Sequence, residues 1–157
     1  MLDTWALLAY LDGEPAAQRV RQVLRSARRK QAVVLLSLIA YGECLDVIER
    51  EQGFHQAQRA VGIIDQLALR VMPADRLLVF EAAHVKARYP VSYADAFSVA
   101  LAKRNQGRVM TGDPEFKAVE SEVRVHWLPD RSGSTFRTLI PRGGRSSARW
   151  TPRARLE

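Results

Sequence analysis

Four acidic residues stand where a parallel α/β sheet would gather its chemistry. Asp3 follows the apolar pair Met1-Leu2, and Glu43 lies about two turns into a helix that Ser37 can open. Asp95 comes three residues after Ser92, in the first turn of another helix, and Asp113 follows the run Val109-Met110-Thr111. Binding and catalysis in such sheets collect beyond the carboxyl ends of the strands. Singly, each acid has a plain structural explanation. Asp3 and Asp113 read as N-caps, Asp95 as the third member of an S-x-x-D capping box, and Glu43 as an exposed helical charge. Jointly they bring like charges to one sheet edge, which is costly unless a cation neutralises them. Hard oxygen donors suit Mg²⁺ or Mn²⁺, which keep waters and accept phosphate oxygens as ligands. A centre of that kind lowers the pKa of a bound water and stabilises charge during in-line attack on phosphate.

The elements that must position these acids follow from apolar periodicity. Trp5, Leu8 and Leu11 give a helix over 4–11, and Pro15 opens a second that runs to about Arg29, with Val20, Val23, Leu24 and Ala27 inward. Val33-Val34-Leu35-Leu36 reads as a buried strand, followed by helices over 38–52 and 54–67 divided by Gly53. A strand over 69–72 precedes a helix over 75–88, with Leu78, Phe80, Ala82 and Val85 mostly inward. The Ser92 helix, a strand over 108–111, a short helix from Pro114 to about Glu120 and a strand over 123–127 complete the pattern. Leu2 reads as the last residue of a first strand. Alternating strands and helices predict a short parallel sheet flanked by helices on both faces, in a single domain over 1–129.

Composition narrows the setting. No apolar run reaches the ~20 residues of a membrane span, no leader-like segment opens the chain, and the lone Cys44 has no partner for an internal disulfide. His55, His84 and His126 have no ligand spacing, which argues against a zinc site. A reducing cytoplasm is the expected location. The net charge is +7, but residues 130–157 hold seven arginines against Asp130 and Glu157. The body is nearly neutral, and the basic, Ser/Gly/Pro-rich stretch is expected to be a disordered tail that attracts polyanions without specificity. Arg25, Arg28, Arg29 and Lys30, and likewise Lys103, Arg104 and Arg108, read as solvated charges, and Trp5 reads as core packing rather than a base-stacking platform.

Leu2-Asp3-Thr4, Ser37 through Glu43, Ser92-Tyr93-Ala94-Asp95-Ala96 and Thr111-Gly112-Asp113-Pro114-Glu115-Phe116 resemble, in order, the motifs of PIN-domain ribonucleases, and most closely those of the VapC-type toxin branch. The resemblance spans about residues 1–129 and implies a PIN-like three-layer fold. It places the family's acidic quartet on Asp3, Glu43, Asp95 and Asp113, as both metal ligands and catalytic groups. Thr111 falls on the hydroxyl that supports the last carboxylate, and Glu115 on an additional acid found in some members. The resemblance further implies an Mg²⁺- or Mn²⁺-dependent endoribonuclease, an RNA substrate, a cognate antitoxin and a homodimer. Two departures stand out: only Met1 and Leu2 precede Asp3, where relatives carry several apolar residues, and the arginine-rich stretch has no counterpart.

Phosphotransfer folds compete less well. A haloacid-dehalogenase-like site needs an aspartate where Trp5 stands, and a receiver domain needs adjacent acids after its first strand and a lysine near its last. The remaining alternative is a degenerate PIN domain that binds RNA or an antitoxin without cleavage.

Overall fold

The computed structural model describes residues 1–129, and the expected tail over 130–157 lies outside the described residues. Helices α1 (Thr4–Leu11) and α2 (Ala17–Arg28) lead to strand β1 (Leu35–Ser37), then to α3 (Leu38–Gln52) and α4 (Phe54–Ile64). Strand β2 (Arg70–Met72), helices α5 (Arg76–Arg88) and α6 (Tyr93–Arg104) and strand β3 (Arg108–Thr111) follow. A 3₁₀ turn over Pro114–Val119 and strand β4 (Arg124–Trp127) end the described fold. The boundaries answer to local chemistry. Ser37 Oγ accepts from the amides of Ile39 and Ala40, Asp75 Oδ1 from Leu78, and Ser92 Oγ from Asp95, so α3, α5 and α6 each begin at a side-chain cap. Gly53, at φ 89°, ends α3 and starts α4 in a backbone conformation that disfavours any side chain.

The sheet is parallel throughout. β1 pairs with β2 and β3 with β4, and Leu2 forms parallel bridges to both Leu36 and Met110. The order is thus β2-β1-Leu2-β3-β4, with the first strand central and a single bridging residue long. Alternation along the strands divides the core. Leu2, Leu36 and Met110 face α1 to α4, while Leu35 and Val109 face α5, α6 and the 3₁₀ turn. These are the three expected layers, and each helical layer is nearly one continuous half of the chain. No helix among the described residues is long and apolar enough to cross a membrane.

Two expectations need correction. The strand foreseen at 33–36 lies at 35–37, and Val33 is 64% exposed. Met1 and Leu2 reach only the Leu35–Leu36 level, so Val33 has no central neighbour to pair with. Phe80, foreseen as mostly inward, is 58% exposed, with the Arg76 guanidinium 5.4 Å from its ring centroid, while Leu78, Ala82 and Val85 alone form the buried stripe of α5.

Where the central strand stops, a cavity of about 280 Å³ opens between β1 and β3. Val33, Val34 and Leu35 line one side, Gly107 and Arg108 the other, and Val23 and Ala102 belong to the helices above and below. The Met1 ammonium donates to the Arg108 carbonyl at 2.8 Å, and burial pushes its pKa down to about 6.

Candidate active site

The acids stand at the opposite, carboxyl edge of the sheet. Asp3 leaves the central strand and caps α1, its Oδ1 accepting from the Ala6 amide at 2.8 Å. The residue is wholly buried, and Oδ2 has no hydrogen-bond partner. Burial is the main reason its pKa rises to about 8, with the charges of Asp95 and Asp113 adding to the effect. The neighbouring Thr111 hydroxyl and the Ala6 amide pull it back, without a bond of full geometry from Thr111 reaching Oδ2.

Asp95 is in the first turn of α6 and closes the capping box foreseen from the sequence. Its amide donates to Ser92 Oγ at 3.0 Å, and its Oδ2 accepts from the Ser92 amide at 3.3 Å. Burial chiefly raises its pKa to about 6, with contributions from Asp113 and Glu43, while the Ser92 hydroxyl and amide restrain the rise. Asp113 follows β3 and caps the 3₁₀ turn through Oδ1, which accepts from the Glu115 amide at 2.9 Å. Its own amide donates to Thr111 Oγ1 at 2.8 Å. Thr111 is fully buried, and its hydroxyl meets the Asp113 amide and lowers the pKa of Asp3.

Glu43 is half-buried on α3 and is not the unpartnered surface charge it resembles when taken singly. The Thr4 hydroxyl, from the first turn of α1, makes a short hydrogen bond to its Oε2. Thr4 is the residue that sequence reasoning missed. Nothing in the chain order signals that a hydroxyl on α1 meets an acid 39 positions later. Glu115 is brought to the rim by its backbone alone, since its side chain is exposed and neither Asp3 nor Asp95 senses its charge.

The quartet is thereby linked. Asp3 feels Asp95 and Asp113, and Asp95 feels Asp113 and Glu43. Among the described residues no three His, Cys, Asp or Glu side chains are grouped so that they could hold a metal ion together. The two observations agree if the centre is open, because Mg²⁺ is typically held by one or two carboxylates and completes its shell with water and phosphate oxygens. The donor set fits such an ion. Its oxygens are hard, several are already restrained by backbone amides, and Asp3 Oδ2 is a buried acceptor left without a partner.

Lys103 pairs with Glu122, and Arg104 with Asp75 and Glu81. Arg25 to Lys30 occupy the end of α2, where Lys30 lines a second cavity with Val33, Val34 and Arg70 at the starts of the strands. Trp5 is half-buried against Gly112, in accord with the packing role expected of it.

Comparison with known proteins agrees with this architecture. No curated protein matches the sequence. The fold is similar to VapBC2 from Rickettsia felis bound to a DNA fragment from its promoter, with TM-score 0.67 and 14% identity over 82% of this chain and 98% of that one. It is also similar to the DNA-bound VapBC of Salmonella typhimurium, with TM-score 0.62 and 19% identity over 80% and 95%. VapC20 of Mycobacterium tuberculosis, a sarcin-ricin loop cleaving toxin, superimposes with TM-score 0.59 and 22% identity over 75% and 92%. At these identities the likeness speaks for the fold. The family model for the PIN domain matches residues 1–122, a span that holds all four acids and both helical layers, and the chain belongs to the PIN domain family.

Proposed function

We propose that the chain is a metal-dependent endoribonuclease, the toxin of a toxin–antitoxin pair, with Asp3, Glu43, Asp95 and Asp113 around Mg²⁺ or Mn²⁺. The observation that carries the reading is the convergence of four carboxylates from four separate elements on one sheet edge, with the most buried of them left with an orphaned oxygen. A bound divalent ion supplies a water of lowered pKa and neutralises charge on the scissile phosphate. The chain's own residues do the rest. Asp3 and Asp95 present carboxylates whose desolvation disfavours their charge until a cation arrives. The Thr4 hydroxyl aims the Glu43 carboxylate, and the Thr111 hydroxyl fixes the Asp113 backbone by accepting from its amide. The helix caps prevent the acids from turning away, so little reorganisation remains at the moment of reaction.

An antitoxin partner, a homodimer and a cytoplasmic location belong to the same reading. The structural neighbours that are toxin–antitoxin complexes support the first of these. The test is cleavage of structured RNA by the full chain with Mg²⁺ or Mn²⁺, abolished by a chelator and by Asp95→Asn. RNA binding with no metal-dependent cleavage would favour instead the degenerate domain, a reading to which the open spacing of the acids lends some weight.

A further inference from the structure

Gly112 separates the two residues of β3 and its following turn that serve the site, Thr111 and Asp113. A glycine at such a place often answers to a positive φ, but the positive-φ glycines of the described fold are Gly13 and Gly53. What Gly112 does provide is room. A Cβ built on it would lie 2.3 Å from Cη2, 2.5 Å from Cζ2 and 2.7 Å from Cζ3 of Trp5. The six-membered ring of the indole therefore lies directly on the backbone at residue 112, closer than any other residue type would allow.

The geometry around this contact gives it meaning. Trp5 belongs to the first turn of α1, two residues after Asp3 and one after Thr4, which bonds Glu43. The turn beneath the ring carries the Thr111 hydroxyl, which accepts from the Asp113 amide. The Thr111 carbonyl accepts from the Leu128 amide at 2.7 Å. The turn thus carries the ring on its backbone at residue 112 and is tied at Thr111 to the residue after β4. We propose that Trp5 is a positioning residue of the metal site, its indole seated on Gly112 to set the separation of Asp3 and Glu43 from Thr111 and Asp113. This rests on the metal-dependent reading above. The ring fixes a distance between two carboxylates that belong to different elements, and supporting groups of this kind typically govern metal affinity by roughly 10–100-fold.

The contact is a matter of shape, so it can be broken from either side and repaired by complementary changes. Gly112→Ala inserts a methyl where the ring stands, and Trp5→Leu removes the ring. The double variant places the methyl in the vacated space. Mn²⁺ dissociation constants would be measured by calorimetry on the full chain, with far-ultraviolet circular dichroism and urea midpoints as checks of folding. Leu24→Ala, a buried change on α2 away from this edge, reports what lost stability alone does to metal binding. Each single change should weaken Mn²⁺ by roughly 10–100-fold. The double variant should bind more tightly than the product of the two losses requires, a coupling expected only of groups in contact. Should the singles unfold, Trp5→Phe, alone and with Gly112→Ala, repeats the comparison with a gentler change. Singles that bind Mn²⁺ as the wild type does, while losing stability as Leu24→Ala does, would reduce Trp5 to packing and leave the nuclease reading untouched. A folded wild type that takes up no Mn²⁺ would overturn both.

Discussion

Asp3, Asp95 and Asp113 each spend one carboxylate oxygen on a backbone amide, of Ala6, Ser92 and Glu115 respectively. The cap explanation of these acids is therefore compatible with the ligand role proposed for them. A carboxylate has two oxygens, and capping fixes the rotamer of the one that remains. Asp95→Asn keeps an acceptor for the Ser92 amide and removes the charge. It should shift stability by less than about 1 kcal/mol, the usual worth of a cap, while metal-dependent RNA cleavage disappears. Cleavage at the wild-type rate in matched preparations would leave Asp95 a cap and nothing more.

The buried acids also predict a dependence on pH. In the metal-free fold, Asp3 titrates at about 8 and Asp95 at about 6, both above their ordinary 3.8. The folded chain thus holds protons that the unfolded chain has released. The stability these groups contribute is whole below their ordinary value and is lost as pH rises through about 6 and then about 8. Urea midpoints of the metal-free protein should fall between about pH 5 and about pH 8.5. Asp3→Asn should remove much of the slope, and saturating Mn²⁺ should flatten it. A midpoint constant across that window would mean that neither acid is desolvated as described.

The helices were legible in the sequence because their signals are local: Ser37 and Ser92 as caps, Gly53 as a break, and apolar spacing between them. The strands were legible as apolar runs, but their ends were not, since Val33 is as apolar as Leu35 and pairing decides between them. Three of the four acids could be placed because they adjoin element starts. Glu43, inside a helix, took its orientation from Thr4, a contact between distant segments. The central strand yields the riskiest prediction. By the alternation of a parallel ladder, a residue ahead of Met1 would reach the Val33 carbonyl and the Leu35 amide, in the cavity between β1 and β3. Each buried backbone group so paired is worth roughly 1–3 kcal/mol. Fusing three or four β-branched apolar residues ahead of Met1 should raise the melting temperature and, by fixing Asp3, tighten Mn²⁺ binding. Equal melting temperatures and metal affinities for the two forms would show that the sheet needs no such residues.

At the scale of the whole chain, the net charge is concentrated in one stretch of the sequence. The acids converge on one edge of the fold, while residues 130–157 carry seven arginines. Deleting those residues should leave Mn²⁺ affinity unchanged and flatten the salt dependence of RNA binding, since each phosphate contact contributes about 0.7 to the logarithmic slope on single strands. An unchanged slope would mean that the arginines do not meet RNA. The layering has a separate consequence. One helical layer is built almost wholly from the first half of the chain and the other from the second, and the sheet between them is joined at its centre through Leu2. Asp3 and Glu43 come from the first half, Asp95 and Asp113 from the second. An ion shared by both pairs would act as a staple between the two halves. Native-state hydrogen exchange should then show a metal-induced gain in protection common to α1–α4 and α5–α6, near 2.7 kcal/mol with metal at about a hundred times its dissociation constant. A chain severed between β2 and α5 would reassemble with an affinity set by the metal concentration, making the two fragments a reporter of the ion itself.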